Sequence, residues 1–430
     1  MKRRGVLAAV LATSGCLRLS GSTTERTERA TGETTGGIEE PATRTTTTDT
    51  ASDDGVETSE APGAWGQLGY DATNAGFVDA KPVDRPVYTE WTREFDIETP
   101  YAPVVDGDRV YLIGERETDA GVVRTLDATT GEDVWRTTVD GWPSCQPAVA
   151  DGTVYAGVGS TLYAFDAEDG RVVWQSPPDT RVSGVYAVTV HDGVVYVGTG
   201  SGEATVYAFD AEDGALQWTN AVPGVATTPA VGEEVVLTSY HEVAADVRRL
   251  RGIDASSGET AWEYAFEAGG RTESAPAVVD GTAYLGVESG AIVAVDATDG
   301  SERWRTVVDA VEAGCSVGPA HAFVATRSAG TGESPNRGVR ALDRETGETV
   351  WRSGSISRLR TESPVAVVGD VLYGVDHAGG VHALDRETGE ARWQLTTNAG
   401  SLSAPAVAGG RVYATGERGC VAVATREVNE

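Results

Sequence analysis

Seven copies of one short phrase limit what this chain can fold into. Each reads Asp, three residues, Gly, three residues, Trp: Asp127-Gly131-Trp135, Asp166-Gly170-Trp174, Asp210-Gly214-Trp218, Asp254-Gly258-Trp262, Asp296-Gly300-Trp304, Asp343-Gly347-Trp351 and Asp385-Gly389-Trp393. Successive copies stand 39, 44, 44, 42, 47 and 42 residues apart, a period that belongs to propeller blades. A short apolar run precedes the Asp, as in Leu162–Phe165, Val206–Phe209 and Ile292–Val295. Such a run reads as a strand ending at the Asp, whose carboxylate accepts backbone N–H groups of the turn, while the Gly supplies the positive φ that closes it. The Trp lies in the following strand. A large flat side chain once per repeat implies packing between neighbouring units, with the indole N–H on a backbone carbonyl. All seven Asp, Gly and Trp are read as structural.

Upstream of each phrase lies a hairpin of constant design, as in Gln146–Gly157, Ala275–Gly286 and Ala404–Thr415. Asp-Gly or Gly-Gly between alternating apolar residues is a strong hairpin signal, and a Pro near the start suits an inner edge strand. With the strands of a unit lettered A to D, eight A–B hairpins are counted against seven repeat Trp. Trp91, in Tyr88–Arg93, stands 44 residues before Trp135, and the eighth hairpin is followed by Cys420–Ala424 as strand C with no strand D after it. The count closes if the strand around Trp91 crosses over to complete the last blade, which also removes open sheet edges. The expectation is an all-β fold over residues 63–430: an eight-bladed β-propeller of four-stranded antiparallel blades, closed by an N-terminal strand.

Composition bounds the setting. The 430 residues carry a formal charge of −31, and only two of the 34 basic residues are lysines, Lys2 and Lys81. Acidic, Lys-poor chains stay soluble in concentrated salt, where charges are screened and carboxylates keep their hydration; a halophilic source is expected. The same charge argues against a nucleic-acid partner, which needs a basic footprint. Residues 1–16 have the parts of an export signal: Arg3 and Arg4, a short apolar run from Val6 to Ala12, and the small residues Thr13-Ser14-Gly15 before Cys16. The apolar run is too short to span a bilayer. Residues 17–62, rich in Thr, Glu and Ser, hold too little apolar surface to offset the entropy of ordering, and are expected to form a disordered tether.

The Ala/Val-x-Asp-x-x-x-Gly-x-x-x-Trp phrase resembles the tryptophan-docking repeat of the pyrroloquinoline-quinone-like propellers. That superfamily includes the quinoprotein alcohol dehydrogenases and the outer-membrane assembly lipoprotein BamB. The stretch Trp65–Gly76 is similar to the segment that often precedes the first blade in such proteins. Arg3-Arg4 resembles a twin-arginine signal, and Ser14-Gly15-Cys16 a lipobox, which implies lipidation of Cys16 and a place on the outer face of the cytoplasmic membrane. Thr13 departs from the large aliphatic residue of that motif, so an ordinary cleaved signal with an incidental Cys stays open. Quinoprotein dehydrogenases hold the quinone against a disulfide between adjacent cysteines, with a calcium ion and an Asp base. This chain has no Cys-Cys pair; Cys145, Cys315 and Cys420 are far apart. No catalytic, cofactor or metal residue is therefore assigned. Cys145 and Cys315, four blades apart, are expected to face each other across the channel, too far for a disulfide. Cys420 reads as a buried thiol. His191, His241, His321, His377 and His382 form no spaced ligand set.

Loop lengths point to one face. The C–D turns are nearly constant, whereas the B–C loops of blade one (Glu115 to Gly121), blade four (His241 to Arg249) and blade six (Arg327 to Arg337) are extended. Function concentrates in loops varied on a fixed scaffold, and B–C and D–A loops share a face. Candidate binding residues there are Arg181, the Arg271-Glu273 pair and the Arg360-Glu362 pair; the alternative for these is Arg–Glu pairing within the mouth. The functional expectation is a membrane-tethered, non-enzymatic scaffold for a protein or polymer at the cell surface, without a cofactor. The alternative is a quinone- or metal-dependent oxidoreductase, or a small-ligand sensor, using the axial mouth.

Overall fold

The computed structural model describes residues 63–95, 101–117, 120–177, 180, 182, 188–200, 204–242, 247–266, 274–287, 290–311, 313–327, 337–354, 356 and 358–426. Among them every regular element is a β-strand, and the strands form eight sheets that follow one another along the chain. Blade 1 spans residues 104–140, blade 2 148–175, blade 3 188–221, blade 4 225–266, blade 5 277–307, blade 6 310–352, blade 7 366–396 and blade 8 406–425. Within each blade strands A to D pair antiparallel in chain order. In blades 4 and 6 strand A comes in two pieces, Val225–Ala226 with Ala230–Val231 and Ala310–Val311 with Ser316–Val317, and both pieces pair with strand B. The eighth blade is completed from the other end of the chain: β3 (Val87–Glu94), the third strand after β1 (Ala64–Trp65) and β2 (Phe77–Val78), pairs antiparallel with Gly419–Thr425. The expected crossover of Trp91 is the observed closure.

The repeat phrase joins each blade to the next. The indole N–H of Trp135 donates to the carbonyl of Ala167 at 2.9 Å, the residue after the turn Asp of blade 2. Trp174, Trp218, Trp262, Trp304 and Trp351 do the same to Ala211, Ala255, Ala297, Arg344 and Arg386 of the blade that follows. Trp91 reaches Ala128 of blade 1 at 3.0 Å. Trp393 reaches Val83 at 3.2 Å, in the segment that leads into β3. Except for Trp393, each ring also lies on the Gly of the turn it docks to. A Cβ on Gly214 would stand 2.6 Å from the Trp174 ring, and the same overlap recurs from Gly131 on Trp91 to Gly389 on Trp351. The Gly is thus required twice, by its φ near +72 and by the ring above it.

A strand-B aromatic completes the joint. Tyr111, Tyr155, Tyr196, Tyr284, Phe323, Tyr373 and Tyr413 tilt against the Trp of their own blade, with ring centroids 5.8–6.3 Å apart. The Tyr155 hydroxyl donates to the same Ala211 carbonyl as Trp174, so one acceptor uses both lone pairs. Blade 4 has Leu237 in the corresponding place, and there the Trp262 indole bonds Ala297 without a strand-B aromatic beside it.

The leader winds around the hub. β1 pairs with strand A of blade 1. The Gly66 carbonyl then accepts Val149 N–H of blade 2, and the Gln67 amide bonds both the N–H and the carbonyl of Val190 in blade 3. Carbonyls of Ala72, Thr73, Ala75 and Gly76 accept the N–H groups of Val231, Val278, Val317 and Val367 in blades 4 to 7. β2 finally runs parallel to strand A of blade 7. Strand A is the inner edge of each sheet, and an edge left with free N–H groups is costly when buried; a single segment satisfies seven of them in turn.

The turn carboxylates are acceptors. Asp254 accepts from the Ser256 and Ser257 hydroxyls and N–H groups, Ser256 hydroxyl foremost, and is lowered to about 2. Asp127 and Asp343 are lowered chiefly by the N–H groups of Thr130 and Thr346. A depressed folded-state value stabilises above the unfolded range near ~3.9 and is lost as pH falls through the folded value. Melting temperature is therefore expected to hold from pH 7 to about 5 and then drop between pH 4 and about 2, and Asp254→Asn is expected to flatten part of that drop. Two glycine variants test the ring contact: Gly193→Ala (φ +73, open space) is expected to cost about 1 kcal/mol, and Gly214→Ala about 1–3 kcal/mol more, read by denaturant unfolding.

Candidate functional site

At the hub, Trp65 is buried with its ring edge-on to Tyr70 at 5.4 Å. Trp65, Leu68 and Gly69 of the leader meet Ala102, Gln146, Pro364, Val365, Ala404 and Pro405 of the surrounding blades around a void of about 10 Å³. No ring system fits that space. This part of the hub is filled by the leader and the inner ends of the blades.

The face with the B–C and D–A connections is shaped by two long hairpins. The extensions read as loops in blades one and four are continuations of strands B and C: Arg109–Glu117 pairs with Ala120–Asp127, and Val235–Glu242 with Val247–Asp254. Strand D accompanies both hairpins, with Asp140 opposite Ala120 in blade 1 and Phe266 opposite Arg248 in blade 4. In blade 4 the hairpin is held by charge. The Arg251 guanidinium donates to Glu263, the Asn220 side chain and the Ala221 carbonyl, and lies over the Tyr240 ring, whose hydroxyl also reaches Glu263. Arg249 pairs with Glu242 at 3.2 Å. Glu263 is lowered: burial alone would raise it, but Tyr240 and Arg251 outweigh that.

Of the candidate mouth residues, Arg181, Arg271 and Glu273 lie outside the described residues, as do Arg3, Arg4 and Cys16. Arg360 and Glu362 are described, and they do not pair with each other. Arg360 donates to the Leu402 carbonyl at 2.7 Å, tying blade 7 to blade 8. Glu362 stands 3.4 Å from His377 Nε2, and His377 Nδ1 is 3.2 Å from the Ser401 hydroxyl. The Arg–Glu alternative is not what this blade shows: Arg360 bonds the connection into blade 8, and Glu362 faces the B–C turn of its own blade. Behind them, buried Asp376 holds His382 at 2.8 Å and accepts the N–H groups of Ala378 and Gly380. Burial raises Asp376, yet these bonds, His382 foremost, bring it below the usual range.

Cys145 and Cys315 do not line a channel. Each is buried in an apolar cluster between neighbouring blades, Cys145 with Tyr155, Trp174 and Val197, Cys315 with Tyr284, Trp304 and Val324. Burial pushes both thiols up to about 12, and pushes Cys420 up as well. All three are free. Protonated thiols in such surroundings are weak nucleophiles.

One residue of this face escaped the sequence reading. Of the ten Trp, eight dock blades and Trp65 fills the hub; Trp142 does neither. It sits between blades 1 and 2 in a D–A connection, 55% exposed, with its carbonyl accepting Gly159 N–H at 2.7 Å. Subtracting the repeat-bound Trp from the total would have found it. An exposed indole on a fixed loop has the character of an interface anchor.

These features define a class: a tryptophan-docked eight-bladed propeller of the pyrroloquinoline-quinone-like type, its hub filled by its leader. The chain belongs to the family described as outer membrane protein assembly factor BamB, whose model matches residues 84–205, 158–318 and 335–427. It is 28% identical over 343 residues to BamB of Salmonella typhimurium, covering 74% of this chain and 83% of that protein. A serine/threonine-protein kinase, AfsK of Streptomyces coelicolor, is 29% identical over 240 residues, 44% of this chain and 28% of the kinase. Among solved structures, BamB of Moraxella catarrhalis superposes with a TM-score of 0.61 at 21% identity, covering 78% of this chain and 99% of that one. Quinohemoprotein alcohol dehydrogenase of Comamonas testosteroni gives 0.66 at 16% identity, covering 86% and 82%. At such identities these structures speak for the fold alone.

Exposure separates the two kinds of Trp experimentally. Trp142→Ala is expected to leave unfolding free energy within about 0.5 kcal/mol, whereas Trp174→Ala is expected to cost about 3–5 kcal/mol, both read by denaturant titration.

Proposed function

We propose that this chain is an exported, membrane-tethered propeller that serves as a non-enzymatic binding scaffold for a protein or polymer at the cell surface. The binding face is the one with the B–C and D–A connections. The observation that carries this reading is the division of labour in the ring: the leader occupies the hub, while two paired hairpins and exposed Trp142 project from one face. Membership in a family named for outer membrane protein assembly supports a protein partner. In this reading Arg181, Arg271 and Glu273 stay binding candidates on the ground of sequence position, while Arg360 bonds the Leu402 carbonyl and Glu362 stands beside His377 of the blade 7 B–C turn.

In this reading residues 1–16 direct export, Cys16 carries the lipid, and residues 17–62 span the distance from membrane to propeller. The charge of −31 fits a protein of concentrated salt, so the folded ring is expected to melt higher as KCl is raised toward molar concentrations.

Photo-crosslinking tests the face. A photoreactive residue at Trp142 or Glu242 is expected to give a discrete adduct on intact cells, and one at Asp108, on an A–B turn, is not. Equal adducts from all three positions, or none, would overturn the assignment. Cys16→Ser is expected to move the protein from the membrane fraction to the medium; retention on the membrane would remove the lipid anchor from the proposal.

A further inference from the structure

The opposite face carries a second feature, independent of the scaffold reading. Where the leader passes blades 4, 5 and 6 it leaves a cavity of about 940 Å³, within the size range of small-ligand sites. Alternate leader residues Asp71, Thr73, Ala75 and Phe77 line it, while the intervening Ala72 and Asn74 are buried against the blades, Asn74 donating to the carbonyls of Pro229 and Pro276. The opposite walls are the A–B turns of the three blades, with Val231, Val235, Val278 and Val279 as the apolar part and an edge of Trp262.

Its charges are one-sided. Glu233, Glu234, Asp254 and Asp280 line the walls beside Asp71. Arg344 is already committed, 2.7 Å from Asp280 and within reach of the Gly318 carbonyl. His191 is held toward its neighbour Asp192, 3.6 Å away. Asp71 is the deepest of the acids. Its Oδ1 accepts both the N–H and the hydroxyl of Thr73, and Oδ2 has no hydrogen bond among the described residues. Burial, the largest cause, holds this carboxyl above its usual range in spite of the Thr73 bonds and the nearby His191, as expected of a carboxylate whose desolvation outweighs its partners.

We propose that this cavity binds an organic cation, an ammonium or guanidinium on an apolar stem, with the cation on Asp71 Oδ2 and the stem against Val231, Val235, Val278 and Phe77. A carboxylate removed from bulk water attracts a cation more strongly and is less screened by salt than a surface acid, which suits a protein of high ionic strength. The apolar wall adds about 25 cal/mol per Å² of stem covered. The cation could belong to a free amine or to an Arg or Lys side chain of a polypeptide.

The test uses the full chain in concentrated salt, with calorimetry as the readout and three probes: phenethylammonium, its neutral counterpart phenethyl alcohol, and the peptide acetyl-Ala-Arg-Ala-amide. Saturable binding of a cationic probe, at least tenfold tighter than the alcohol, is expected. Asp71→Asn, which keeps an acceptor for Thr73, is expected to weaken it at least tenfold with an unchanged melting temperature. Glu234→Arg, on the exposed rim, is expected to compete for the site and weaken binding without touching the leader. Tighter binding of the peptide assigns the source to a protein side chain, and of the amine to a small molecule. Equal binding of the alcohol, binding unaffected by both substitutions, or no saturable response to either cation at millimolar concentration overturns the proposal. Because Trp142 and the paired hairpins lie on the other face, failure here leaves the cross-linking result intact, and the reverse holds too.

Discussion

An indole lying on a turn without a Cβ is the contact on which this molecule rests. At seven of the eight seams one blade offers a flat aromatic face and one N–H, and the next offers a glycine and one carbonyl to receive them; at the seam after blade 7 the Val83 carbonyl receives the Trp393 N–H instead. The joint combines burial of a large apolar surface with a directed hydrogen bond. Because it recurs at seven of the eight seams, neighbouring blades are joined in the same way nearly all round the ring, and the last blade can meet the first. Loop length and side-chain chemistry elsewhere are then free to vary, and they do so on the faces.

The second requirement is at the centre. Eight sheets converge with their inner strands, and every such strand presents N–H groups that no sister strand can reach. The leader answers this with carbonyls spaced along one extended, twice-turned segment, and with a side-chain amide at Gln67 where its backbone turns away. Gly66 shows how close the approach is: a Cβ there would stand 2.7 Å from the Val149 carbonyl. With the hub filled by main chain, the cavity beside blades 4 to 6 lies where the leader passes them.

The parts of the structure that repeat were legible from sequence, since seven equivalent phrases and one orphan Trp determine both the blade count and the closing strand. The parts that occur once were not. Trp65–Gly76 was visible as a leader, but nothing in its composition announces that its carbonyls serve successive blades; that depends on the ring being present. Long spacings in blades 1 and 4 read as loops because hairpin extension and loop insertion look alike when Glu, Arg and Thr alternate with apolar residues. Trp142 was hidden among nine other Trp with structural duties. Arg360 and Glu362 were singled out as a pair, but their partners, Leu402 and His377, come from elements that sequence spacing could not bring alongside.

The leader and β3 have a consequence for the order of events during synthesis. They emerge first, yet the leader's acceptors are needed by strands made up to some three hundred residues later, and β3 waits for the final hairpin. Contacts of such separation are slow to form, because the loop entropy is lost before they reward it. The ring is consequently sealed only once the whole polypeptide is present. An interrupted chain would keep an unsatisfied inner rim and one open seam, and so be easily told apart from finished protein by any quality-control protease.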